Sequence, residues 1–146
     1  MNTSNHAPLF ISTQTAALLT GKTIRTIHNW LESGSIEGKT VHAAHLPGGQ
    51  LVRVDISSMA EQIPTELTDE FLACVKNAEA GDAQETTNVA TYFYRRSATQ
   101  KIAVNWFELA AKRGNADAME WLWEALRQIE WVGGRMLWSS RALNRS

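Results

Sequence analysis

The residues best suited to chemistry lie close together between positions 22 and 29: Lys22, Thr23, Arg25, Thr26 and Asn29. Guanidinium and carboxamide groups can pair with base edges, while Lys and Thr side chains can hold phosphates. Their spacing belongs to a helix. Thr23 is a good N-cap, because its hydroxyl can accept from a free N–H of the first turn, and Gly34 can take the left-handed position that closes the helix. Stepping about 100° per residue from Ile24 places Ile27 near 300°, His28 near 40° and Leu31 near 340°, which makes an inward stripe. Asn29 and Thr26 then face outward, with Arg25 and Trp30 on the flanks. An outward face of Arg, Thr and Asn on helix 23–33 fits a DNA major groove. A solvated amphipathic helix carries the same pattern, so the neighbouring elements must decide between them.

Those neighbours are ordered. Residues 9–19 read as a short helix capped by Ser12 or Thr13, with Ala16, Ala17 and Leu19 as its small apolar face. Thr20-Gly21-Lys22 joins it to helix 23–33 with helix-turn-helix spacing. Beyond Gly34 the pattern changes: Ile36, Val41, Leu51, Val52 and Val54 are β-prone, and Leu46-Pro47-Gly48-Gly49-Gln50 is a strong turn signal. A two-stranded hairpin follows, with its wing at 40–53. Asp55 then caps a third short helix through Ile56, Met59 and Ile63, ended by Pro64.

Helix, turn, helix ending in Gly34, glycine-tipped hairpin, then Arg53-Val54-Asp55-Ile56: this order resembles the excisionase-like and MerR-like winged helix-turn-helix families over residues 9–63. The resemblance implies that the second helix enters the major groove and that the wing touches backbone or minor groove. It carries Lys22, Thr23, Arg25, Thr26 and Asn29 over as helix contacts to double-stranded DNA, and Gln50 and Arg53 as wing contacts. The wing departs from those families in holding His42 and His45 where several Arg or Lys are usual.

After the connector Pro64-Thr65-Glu66-Leu67-Thr68 the pattern is helical throughout. Thr68 caps a helix whose inner face is Phe71, Val75 and Ala78, with Asp69 and Glu70 at the positive end of its dipole. An internal repeat follows. Ala78-Glu79-Ala80-Gly81-Asp82-Ala83 returns 33 residues later as Ala111-Lys112-Arg113-Gly114-Asn115-Ala116, and the same shift aligns Val89 with Leu122 and Phe93 with Leu126. In each copy, glycine closes one helix and Asp or Asn caps the next. Gln100 to Ala118, with Trp106-Phe107, Ala110-Ala111 and Gly114-Asn115-Ala116, resembles the Sel-like repeat of the tetratricopeptide superfamily. The resemblance implies paired helices over 68–131 that bind peptides or proteins, and it implies no catalysis. The last helix, Asn115 to about Trp131, packs through Ala118, Leu122, Ala125 and Ile129. Gly133-Gly134 is expected to break the chain before an apolar segment, 132–146. That segment either caps its own domain or, with Trp121, Trp123, Trp131, Met136, Leu137 and Trp138, forms a partner or homodimer interface.

Composition bounds the rest. An apolar content of 44% with 20% charged residues is that of a globular chain. No apolar run is long enough to cross a bilayer, and the polar start, Met1 to Pro8, lacks a signal core, so a cytoplasmic location is expected. The single cysteine, Cys74, lies among apolar residues and reads as a buried thiol. Residues 1–64 are neutral, which leaves few cations for phosphate. His42 and His45 are three apart on a hairpin, so they point to opposite faces, with no third ligand to make a metal site. Pro47-Gly48-Gly49 lacks the Lys-Ser/Thr of a phosphate loop. The acids Asp69, Glu70, Glu79 and Glu85 read as a solvated surface. No catalytic set emerges, and no cofactor or enzyme activity is expected.

The expected chain is thus mainly α: a winged helix-turn-helix with a small hairpin, about four repeat helices and a C-terminal segment. Its expected role is sequence-specific DNA binding by a bacterial or phage transcriptional regulator, with the repeats serving dimerisation or a protein partner. An excisionase-like factor that bends DNA, or an interaction adaptor that binds no DNA, would show the same helix.

Overall fold

A computed structural model describes residues 8–136, with the side chains of Pro47 and of 129–136 outside the description. The described residues form six α-helices and a three-stranded sheet. They divide after Glu79 into two compact units.

The first unit opens with a strand rather than a helix. Phe10–Ser12 (β1) pairs antiparallel with Gln50–Asp55 (β3), which also pairs with Gly38–His42 (β2), in the order β1-β3-β2. The expected two-stranded hairpin is therefore the outer part of a three-stranded sheet. Only Thr13–Thr20 is helical (α1); Ser12 caps it by accepting from the Thr15 amide. Gly21, at φ 73°, ends α1 by donating to the Ala17 carbonyl, and Ile24–Ser33 (α2) follows after two residues. Both expected ends of α2 are present: Thr23 accepts from the Thr26 amide, and Gly34 stands at φ 83°.

Strand alternation places Ile11 and Val54 on one sheet face, and both are fully buried with Ala16, Leu19 and Ile27. The other face carries Phe10, Lys39 and Arg53. After β3, Asp55 caps only a short 3-10 turn, Ile56–Met59, by accepting from the Ser57 amide. Asp69–Glu79 (α3) is capped by the Thr68 hydroxyl and buries Phe71, Val75 and Ala78 as expected. It closes the first unit, although its sequence belongs to the repeat pattern.

The second unit contains Ala83–Tyr94 (α4), Gln100–Lys112 (α5) and Ala116–Met136 (α6). Asp82 caps α4 by accepting from the Glu85 amide, and Asn115 does the same for the Ala118 amide at the start of α6. Gly81 and Gly114 stand at φ 103° and 101°, so both expected junction glycines take a positive φ. The core is Val89, Ala90, Phe93, Ala103, Trp106, Phe107, Ala110, Ala118 and Ala125. Gly133-Gly134 does not end α6, which runs through both glycines to Met136. The expected break is replaced by helix, since glycine weakens a helix by only about 1 kcal/mol relative to alanine. Leu137, Trp138 and the rest of the apolar segment lie outside the described residues.

Candidate nucleic-acid interface

The exposed side of α2 is the candidate site. Ile27 alone is fully buried on this helix; Thr26, Trp30 and Leu31 are half-buried. Ile24 is 44% exposed, and Arg25, His28, Asn29 and Glu32 are exposed as well. The buried face is thus turned toward Trp30 relative to the expected stripe. His28 and Ile24 leave the core face, and Thr26 leaves the outer one. The residues of α1 that pack inward are Ala16, Ala17, Leu19 and Thr20. That contact anchors Ile27 and leaves the first turn of α2 clear.

The outward face then carries Ile24, Arg25, His28, Asn29 and Glu32, with Lys22 exposed in the turn before it. Arg25 and Asn29 lie four apart and one turn above the other, as base-edge or phosphate contacts would require. Ile24 offers an apolar surface of the kind that meets a thymine methyl. Thr23 and Thr26 are occupied with each other: Thr23 Oγ1 accepts from the Thr26 amide at 3.1 Å, and the two hydroxyls stand 3.0 Å apart. Their first function is the cap.

The hairpin sits beside the far end of α2. His28, Leu31 and Glu32 face Gly38, Lys39, Thr40 and Val52 across an open groove of about 300 Å³. Gly38 permits this approach: a Cβ there would lie 2.5 Å from the Arg53 carbonyl oxygen and 2.9 Å from Leu31 Cδ2. At the outer end of the hairpin, Gln50 is exposed and pairs with His42. His42 and His45 are both exposed, and among the described residues no three His, Cys, Asp or Glu side chains gather as a metal site would need.

The hairpin's two cations, Lys39 and Arg53, are paired across the strands, and each already has a neighbour. Arg53 Nη2 is 3.2 Å from Glu79 Oε2. Glu79 also accepts from the Ser12 amide at 3.1 Å and from the Thr15 hydroxyl at 2.6 Å. Lys39 Nζ lies 4.1 Å from the centre of the Phe10 ring. Glu79 is therefore no solvated acid, and Arg53 is a framework residue of the sheet in this state. Nothing in the local sequence signals either, because the partners are far apart in the chain. Lys22, Thr23, Arg25, Asn29 and Gln50 are the exposed members of the expected set, with the Thr23 hydroxyl engaged in the cap.

In the second unit, Trp121 is 38% exposed, and its ring stacks on Phe107 at 5.7 Å between centres. Tyr94 meets both rings edge-on, at 6.2 Å from Phe107 and 5.4 Å from Trp121. Trp123, by contrast, is 68% exposed. The Trp131 and Met136 side chains lie outside the description. Cys74 is half-buried rather than buried. No helix among the described residues is long and apolar enough to cross a membrane. None of the family models, curated proteins or solved structures compared with the chain matches it.

Proposed function

We propose that residues 9–63 are a winged helix-turn-helix head that binds double-stranded DNA sequence-specifically, as part of a transcriptional regulator. The observation that carries this reading is the exposed face of α2, where Arg25 and Asn29 stand over a capped first turn beside a hairpin. Arg25 pairs with a guanine or a phosphate, Asn29 with an adenine edge, and Lys22 with the backbone at the helix start. Gln50 gives the wing one polar contact. With Arg53 paired to Glu79 and Lys39 set over the Phe10 ring, a single head offers few phosphate contacts. Two heads on a repeated half-site supply what one lacks, and the helical repeats bring the second copy.

The use of Arg53 and Lys39 inside the head favours a second reading, an adaptor whose head binds protein rather than DNA. Salt separates the two. Two heads with Lys22 and Arg25 each release about four counterions, which gives a log–log salt slope near −4. The test is selection of bound sites from random DNA with the full chain, followed by Arg25→Ala with Asn29→Ala. Loss of the selected preference with unchanged helix content is expected. Failure to enrich any site, or an intact preference in the double variant, removes the α2 assignment.

A further inference from the structure

The last helix repeats the sequence pattern of α4, but among the described residues no helix covers it as α5 covers α4. Shifted by 33 residues, Thr86, Val89, Ala90 and Phe93 of α4 correspond to Met119, Leu122, Trp123 and Leu126 of α6. The α4 residues are all 0% exposed, in a helix packed along α5. Their counterparts are open: Met119 is 47% exposed, Trp123 68% and Leu126 40%, with Leu122 half-buried. These positions form an exposed apolar strip along α6.

We infer that α6 of a second copy covers this strip, laid antiparallel across a two-fold axis between Leu122 and Trp123. Two observations name that occupant. The first removes head-to-tail stacking. Ile102, Ala103, Trp106 and Ala110 of α5 are buried, but their counterparts 33 residues earlier, Asp69, Glu70, Ala73 and Asn77, are exposed on α3. The chain's own first repeat helix therefore offers a mostly polar surface to a following copy. The second is self-complementarity. An antiparallel pair sets Met119 of each copy against Leu126 of the other and joins the two Trp123 side chains at the axis. It also brings Arg127, whose guanidinium pairs with Glu124 of its own helix, across from Glu120 of the second copy. The stretch 116–129, over which α6 overlaps its mate about that axis, provides a seam of about 21 Å. Apolar anchors at the centre with charges at the rim are the usual anatomy of such an interface.

This inference rests on the proposed role of the repeats in pairing two heads, and it is tested without DNA. Sedimentation equilibrium of the full chain should show a dimer. Trp123→Glu should raise the dissociation constant about 30-fold or more with unchanged helix content, because the side chain is exposed within one copy. Arg127→Glu should weaken the dimer several-fold, and adding Glu120→Arg should restore it. A chain ending at Met136 should still pair. A monomeric wild type, an unaffected Trp123→Glu dimer, or no restoration by the charge swap overturns the proposal. So does pairing that appears only after removal of 137–146, since that segment would then be the cover. A dimer without DNA affinity leaves this interface standing and removes the proposed head function; a monomer that selects a DNA site does the reverse.

Discussion

The Arg53 guanidinium stands 3.2 Å from the Glu79 carboxylate, and so a β3 side chain expected to reach for DNA instead ties the sheet to α3. Glu79 completes the arrangement by taking the Ser12 amide of β1 and the Thr15 hydroxyl of α1. One carboxylate thereby joins a strand, a helix start and the central strand of the sheet.

Glu79→Ala should therefore destabilise the first unit by about 1.5–3 kcal/mol, the range for hydrogen bonds to a charged group. The loss leaves a half-buried guanidinium and a strand amide without their acceptor. Glu79→Gln keeps the shape and one acceptor oxygen and should cost less. Arg53→Ala should cost less than Glu79→Ala, because the Ser12 and Thr15 bonds survive. Urea unfolding of the full chain, followed by far-UV circular dichroism, ranks the three. Equal stability of Glu79→Ala and wild type would refute the joint.

Two glycines beside α2 make a contrasting pair. A Cβ on Gly38 would meet the Arg53 carbonyl oxygen at 2.5 Å, and backbone in a paired strand has little room to yield. Gly38→Ala should cost about 1–3 kcal/mol as an overpacking defect and should widen the groove between α2 and the hairpin. Gly34 has nothing within 4 Å of such a Cβ, and only its φ of 83° resists substitution. Gly34→Ala should cost about 1–2 kcal/mol, and Gly34→Asn less, since Asn tolerates the left-handed region. The same urea titrations measure both, and an Asn variant rescued at 34 but not at 38 is the expected signature.

What could be read from the sequence was whatever a few adjacent residues decide. Thr23 and Gly34, Thr68, Gly81-Asp82 and Gly114-Asn115 act on their own turns, and each stands where its chemistry requires. Asn115 shows where that ends. Its cap on Ala118 is local, but it also accepts from the Thr87 hydroxyl and donates to Gln84, across the pair of repeat copies. Phe10-Ile11-Ser12 is too short to show a strand pattern; its state is set by pairing with Arg53, Val54 and Asp55, more than forty positions on. The rotation of α2 has a similar origin. Helical spacing finds a stripe, but how far it is buried depends on what packs against it, and of that stripe only Ile27 is fully buried. Glu79 was hidden for the same reason as Arg53: neither has its partner nearby in sequence.

The aromatic group at the end of α4 gives a prediction in pH. Burial raises the Tyr94 pKa above its ordinary value of 10.0, the Glu124 carboxylate raises it further, and Arg127 opposes both. A phenol with a raised folded pKa contributes stability that is fully present below its unfolded value, near pH 10. The contribution is lost as pH rises through the folded value, because the unfolded chain then ionises this phenol and the folded one resists. Stability measured by urea unfolding should thus fall above about pH 10, and Tyr94→Phe should flatten that fall. The phenolate absorbance of the folded chain should include a step above pH 10 that Tyr94→Phe removes. Glu124→Gln should move that step down, since it removes one of the two causes of the shift. A Tyr94→Phe chain that keeps the whole step would refute the assignment and place the Tyr94 phenol in open solvent, against its edge-on contacts with Phe107 and Trp121.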